Sequence, residues 1–170
     1  MDKRFIVKPI RTYNLSEFLN CYQPNFDLPK IDTIFNDTLE LCFDQYDLQS
    51  TNILHTCFDR KENKYCAILN IGTTTAVDDM ISINVEFLFI EKEYRGIKFE
   101  ELNNLKLSQY LLQDYTIGDI GFYSKENIGI SAVSITPINE KVREVYEDMN
   151  FITIDGSGSK KEEDWMICIF

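Results

Sequence analysis

The sequence predicts a mixed α/β fold: one sheet of mixed strand direction, covered by helices, in a single domain spanning 1–170. Three observations predict it. The apolar periodicity reads, in order, β-α-α-β-β-β-α-β-α-β-β. That order combines hairpins with strand–helix–strand crossovers, which an all-β sandwich and a purely parallel doubly wound sheet do not. The chain has 170 residues, 44% hydrophobic and 13% aromatic, enough for one core and too apolar for a disordered polymer.

Taken in order, Phe5 to Ile10 reads as a strand that Pro9 and the following turn stop. Asn14 or Ser16 can cap a helix that carries Leu15, Phe18, Leu19 and Tyr22 on one side. A second helix is expected from about Ile31 to Phe43, with Ile31, Ile34, Phe35, Leu39, Leu41 and Cys42 roughly in helical register and Asp32 in the first turn. Asn52 to Asp59 and Lys64 to Thr75 are rich in β-branched and aromatic residues, and the charged connector between them makes a hairpin. Met80 to Ile90 is a further strand, with Val85, Phe87 and Phe89 on one face and Glu86, Leu88 and Ile90 on the other. A helix is expected from about Phe99 to Gln113 on its leucine stripe. Ile130 to Ile135 is a short strand closed by Thr136-Pro137. Asn139 caps a helix reaching Met149, with Val142, Val145, Tyr146 and Met149 on one face. Phe151 to Ile154 and Trp165 to Phe170 are two strands flanking the loop Gly156-Ser157-Gly158-Ser159.

Composition narrows the function classes. The formal net charge is −11, from 17 Lys and Arg against 28 Asp and Glu. No nucleic-acid partner is expected, because that affinity comes largely from basic residues neutralising phosphates; cationic amines and basic peptides suit the charge. The five cysteines form no Cys-x-x-Cys pair and sit mostly in apolar runs, which reads as free thiols in a reducing, cytoplasmic setting. His55 with Cys57 supplies too few ligands for zinc, so no metal is expected and His55 reads as a core or strand-face residue. No signal peptide and no membrane-length apolar run is apparent, and no membrane partner is expected.

Two segments carry chemistry. In the first, a strand ending Phe87-Leu88-Phe89-Ile90 runs into Glu91-Lys92-Glu93-Tyr94-Arg95-Gly96-Ile97-Lys98, with a helix to follow; unpaired N–H groups at a helix start hold anions, and Arg95 adds a charge that meets phosphate. The second is the capped helix from Asn139 through Val142, Tyr146 and Glu147 to Asn150-Phe151, where Asn150 can take the left-handed conformation that often ends a helix. In this order the two segments resemble the GNAT superfamily of N-acetyltransferases. Its fourth strand leads into an Arg/Gln-x-x-Gly-x-Gly/Ala loop, and a later helix reads Asn-x-x-Ala-x-x-Phe/Leu-Tyr-Glu-x-x-Gly-Phe. The resemblance is strongest from Ile81 to Phe170. This chain departs from the pattern at Lys98 and Glu100, where the loop has small residues, and at Val142 and Asn150.

The resemblance implies a mostly antiparallel central sheet of about seven strands with helices on both faces. It implies acetyl-CoA as acetyl donor and direct transfer to a primary amine of a small molecule, protein or peptide. Phe89, Ile90, Arg95, Gly96, Ile97, Lys98 and Asn139 match cofactor-binding positions. Tyr146 matches the acid that protonates the leaving thiolate, as a phenol of ordinary pKa near about 10 can. Glu86 is the candidate base, with Asp78, Asp79 and Glu91 as alternatives. A GNAT-like module that binds without catalysing, and an unrelated interaction domain, are the competing readings. Residues from about Asn14 to Asp47 are expected to shape the acceptor pocket, and C-terminal edge strands leave pairing into a homodimer open.

Overall fold

The structure is a computed structural model that describes residues 3–27, 29–43, 52–75, 79–161 and 164–170. The strands are β1 (Phe5–Pro9), β2 (Ile53–Asp59), β3 (Lys64–Thr75), β4 (Ile81–Ile90), β5 (Lys98–Phe99), β6 (Leu105–Lys106), β7 (Ala132–Ile135), β8 (Ile152–Thr153) and β9 (Met166–Ile169). The helices are α1 (Thr12–Cys21), α2 (Pro29–Phe43), α3 (Leu107–Gln109), α4 (Phe122–Ile128) and α5 (Glu140–Glu147). A π-helical stretch, Tyr110–Gly121, makes α3 and α4 continuous. Seven strands form one sheet in the order β1-β2-β3-β4-β7-β9-β8, and β5 and β6 form a separate hairpin. The expected mixed, mostly antiparallel sheet is present. The chain divides into two compact units, Met1–Gly72 with Glu86–Ser108, and Thr73–Val85 with Gln109–Phe170.

In the first unit β1 pairs antiparallel with β2 from Phe5↔Asp59 to Pro9↔His55, and β2 pairs with β3 through the expected hairpin. The Asp59 carboxylate accepts the Lys61 N–H at 2.9 Å and so starts the turn, which Asn63 completes at φ 53°. Phe18 of α1, Tyr22 just past its end and Phe35 of α2 pack in one core with Leu54, Ile68, Phe87 and Phe89. As the alternation predicts, Val85, Phe87 and Phe89 are buried while Glu86 is exposed. Phe26, between the two helices, sets its ring edge-on to Phe89 at 4.7 Å.

A fully buried carboxylate organises the other end of this unit. Asp59 receives Arg4 Nε at 3.0 Å, Arg4 Nη2 at 2.8 Å and the Tyr94 hydroxyl at 3.0 Å. Arg4 also reaches Glu101 at 3.1 Å and lies over the Phe5 and Phe99 rings. Burial pushes the Asp59 carboxyl up, but the Arg4, Tyr94 and backbone hydrogen bonds together outweigh it, and its pKa is net lowered.

In the second unit Ile83, Asn84 and Val85 of β4 run parallel to Val133, Ser134 and Ile135 of β7. β9 pairs antiparallel with β7 on one side and β8 on the other. Gly121 packs closely on the Phe170 ring: a Cβ there would lie 2.6 Å from it, so a larger residue would need the ring to move.

Two local expectations are corrected. Asn14 does not cap α1 from outside; the helix begins at Thr12, and the Asn14 amide oxygen reaches back from the third helical position to the Arg11 N–H at 2.7 Å. The helix expected from Phe99 begins at Leu107 and continues to Ile128. Phe99 and Leu102 mimic a helical stripe, but they are the buried residues of a hairpin and a tight turn. Asn103 and Asn104, at φ 55° and 62°, hold the left-handed conformation that reverses the chain.

Replacing Asp59 with Asn leaves the half-buried Arg4 with only the exposed Glu101 as carboxylate partner and should cost about 2 kcal/mol in denaturant unfolding at pH 7. His55 is buried, as expected, and burial followed by the nearby Arg11 charge lowers its pKa to about 4. The unfolded chain protonates this histidine below about pH 6.5. Its contribution is therefore complete above that pH and is lost as pH falls toward about 4. The difference in stability between wild type and His55→Gln should shrink over that window.

Candidate active site

Strand β4 changes its surroundings along its length. Its ladder with β7 runs from Ile83↔Val133 to Val85↔Ile135, where β7 ends, while β4 continues to Ile90. The Glu91 N–H bonds the Cys66 carbonyl of β3 at 3.0 Å. N–H groups alternate sides along a strand. The Phe89 N–H therefore points toward β3, and those of Leu88 and Ile90 point away from it. Of the two backbone groups singled out in the sequence, Ile90 is the one aimed off the β3 side.

Past β4 the polar turn Lys92–Tyr94 is anchored by Tyr94 on Asp59. Arg95 follows, and its guanidinium is engaged. Nε donates to the Ile90 carbonyl at 2.7 Å, Nη1 and Nη2 form a two-point ion pair with Asp27, and the group lies over the Phe89 ring at 5.2 Å. Arg95 thus ties the segment between α1 and α2 to the end of β4. The hydrogen bond from Arg95, outweighing partial burial, holds the Asp27 carboxyl down at about 2. Gly96 has φ +76°, and a Cβ there would meet nothing within 4 Å, so its backbone conformation is what calls for glycine. Ile97 is exposed.

Lys98, also exposed, faces Lys106 across the β5–β6 hairpin. Like charges directly opposed in a ladder are unfavourable by themselves. These two lie just before Leu107, where the long helix starts and where backbone N–H groups lack intrahelical acceptors. The sequence expectation placed Lys106 inside the helix because that helix was started too early; the paired asparagines at 103 and 104 were the available turn signal. Glu100 lies in the tight turn Glu100–Leu102, away from the helix start.

The candidate bases differ. Glu86 is exposed, on the face of β4 opposite Phe87. Glu91 is buried and accepts the Tyr22 hydroxyl at 2.6 Å and the Asn25 N–H at 3.4 Å. Asp79 sits at φ 61° in the approach to β4, and Asp78 lies outside the described residues.

The second unit holds the remaining candidates. The Asn139 side chain caps α5 by accepting the Val142 N–H at 3.0 Å, as predicted. Tyr146 is buried, and burial pushes its phenol up to about 12. It therefore stays protonated at neutral pH and can act as an acid. The Tyr146 carbonyl accepts the N–H groups of Met149 and Phe151 at 2.9 and 3.1 Å, and Asn150 takes the expected left-handed conformation at φ 67°. The buried Ser82 and Ser134 and the half-buried Asn84 form a chain across β4 and β7, with Ser82 Oγ 2.8 Å from Ser134 Oγ, and Ser134 Oγ donating to Asn84 Oδ1 at 3.0 Å. Among the described residues no group of His, Cys, Asp and Glu could hold a metal ion, and no helix is long and apolar enough to cross a membrane.

No protein-family model matches the sequence, and no curated protein resembles it in sequence. Solved structures do resemble it. AtaTR bound with acetyl-CoA superimposes at TM-score 0.66 and 10% identity, covering 99% of this chain and 94% of that one. AtaT complexed with acetyl-methionyl-tRNAfMet gives TM-score 0.66 and 11% identity over 97% and 94%. The GNAT-family N-acetyltransferase YhbS from Escherichia coli, in complex with CoA, gives TM-score 0.58 and 12% identity over 99% and 83%. The chain has the GNAT fold.

The Asp27–Arg95 pair predicts a titration. In Arg95→Ala the Asp27 carboxyl should return from about 2 to the ordinary value near about 4, followed by carboxylate carbon shifts in NMR. Both side chains are substantially exposed, so the accompanying stability change should be under about 1 kcal/mol.

Proposed function

We propose that this protein is an acetyl-CoA-dependent N-acetyltransferase that moves an acetyl group directly to a primary amine of a small molecule or peptide. The observation that carries this reading lies along β4 and beyond its end: β4 outruns its ladder with β7, and Lys98 and Lys106 then stand together at the start of a long helix. Strand N–H groups directed away from β3, Ile90 foremost, suit the amide-rich pantetheine arm and the thioester carbonyl. The two lysines and the helix start suit the pyrophosphate. Arg95 serves this site by bracing the end of β4, and Gly96 and Ile97 carry the chain from it into the hairpin. The fold shared with acetyl-CoA- and CoA-bound proteins supports the same reading by analogy.

In the reaction the neutral amine attacks the thioester carbon. The new C–N bond forms as the C–S bond breaks. The Tyr146 hydroxyl gives its proton to the departing sulfur, and the amine loses one, directly or through water, to the Glu86 carboxylate. The chain's charge of −11 favours cationic acceptors. The likeness to AtaT, seen with acetyl-methionyl-tRNAfMet, makes the α-amine of an aminoacyl ester a further candidate, against the charge balance. A second reading, a GNAT-fold module that binds without transferring, is favoured by one observation: Arg95 is already held by Asp27.

Isothermal titration should give micromolar acetyl-CoA binding, weakened about tenfold or more in Lys98→Glu/Lys106→Glu. Tyr146→Phe should keep binding and lose about 100-fold in turnover against an amine panel that includes aminoacyl-tRNA. Binding without thiol release for any amine would establish the second reading. Absence of binding at millimolar acetyl-CoA would overturn both.

A further inference from the structure

Helix α5 has eight residues, too few to hold its own orientation without tertiary support. One buried cation supplies part of that support. Arg143 is 6% exposed. Its Nη1 donates to Thr153 Oγ1 of β8 at 2.9 Å, its Nη2 to the Lys161 carbonyl at 3.2 Å, and its Nε lies 3.4 Å from Glu140 of the same helix. Glu140 is 77% exposed, so its pairing with the guanidinium is weakened by solvent. A buried ion pair is by itself weak evidence for stability. What the contacts supply is direction. β8 pairs with β9 at Ile152↔Ile167 and Thr153↔Met166, and β9 pairs with β7, so Arg143 references α5 to the sheet. Tyr146 lies three residues on, one turn along the same face.

We propose that Arg143 is a positioning residue for Tyr146. By bonding Thr153 and the Lys161 carbonyl it sets the roll of α5, and with it the line along which the phenol delivers its proton to the departing sulfur. The inference rests on the reading of Tyr146 as proton donor, and the experiment separates the two.

Thiol release from acetyl-CoA is measured with whichever primary amine in the panel turns over fastest, for Arg143→Met, Arg143→Lys, Thr153→Val and Tyr146→Phe, with folding checked by thermal melting. Arg143→Met should lower kcat about 10- to 100-fold, with little change in KM for acetyl-CoA. Arg143→Lys should recover part of that loss, and Thr153→Val should show a smaller loss of the same kind. In a Tyr146→Phe background Arg143→Met should cost nothing further in kcat, because both changes remove the same step. A folded Arg143→Met with unchanged kcat overturns the proposal, as does an equal loss in both backgrounds. Should Arg143→Met not fold, Arg143→Lys and Thr153→Val carry the same comparison. If Tyr146→Phe keeps full turnover, or no amine reacts, the proton-donor reading fails first. NMR of ring-labelled tyrosine then still decides the positioning: the Tyr146 ring packs against Phe151 at 5.9 Å, so its ring signals should shift in Arg143→Met, and unchanged ring shifts overturn the role.

Discussion

The first unit depends on Asp59. A carboxylate with no exposed surface is stable as an anion only where it is fully paired, and Asp59 is met by Arg4, the Tyr94 hydroxyl and the backbone at Lys61. Each partner comes from a different place: the start of β1, the turn after β4 and the β2–β3 hairpin. Arg4 in turn lies over Phe99 at the beginning of the β5–β6 hairpin. One buried charge therefore determines where the chain goes on leaving β4. That route ends at the lysine pair and the start of the long helix.

A second tie acts on the same strand from the helical side. Phe26 sits edge-on to Phe89, and Asp27 beside it holds Arg95, whose Nε holds the Ile90 carbonyl. The segment between α1 and α2 is thereby coupled to the strand end that the proposed donor would use. The ion pair is exposed and worth little on its own. The aromatic contacts beneath it supply the larger share of the attachment.

In the second unit the short helix α5 is defined at both ends by backbone chemistry. Asn139 satisfies an N–H at the start, and the Tyr146 carbonyl accepts two N–H groups at the finish, where Asn150 turns left-handed. Caps fix where a helix begins and ends. They do not fix its rotation about its own axis, which requires a contact to another element; Arg143 on Thr153 is such a contact.

Much of this was legible in the sequence. The alternation of Val85, Phe87 and Phe89 against Glu86 and Leu88 determined the faces of β4, because side chains on a strand repeat every two residues whatever surrounds them. Asn139 and Asn150 marked the ends of α5 because capping is local. Tertiary structure alone decided the rest. Phe99 and Leu102 are spaced as a helix would space them, and only their burial in a hairpin shows otherwise. Arg95 stands out in sequence as a charge beside a glycine, but its pairing with Asp27, 68 residues earlier in the chain, leaves no local signal. The buried partners of Asp59 and Arg143 left no local pattern either. Periodicity and capping are properties of neighbouring residues and are written in their order, whereas the partner of a charge is set by which distant segments the fold brings together, and no spacing in the sequence records that.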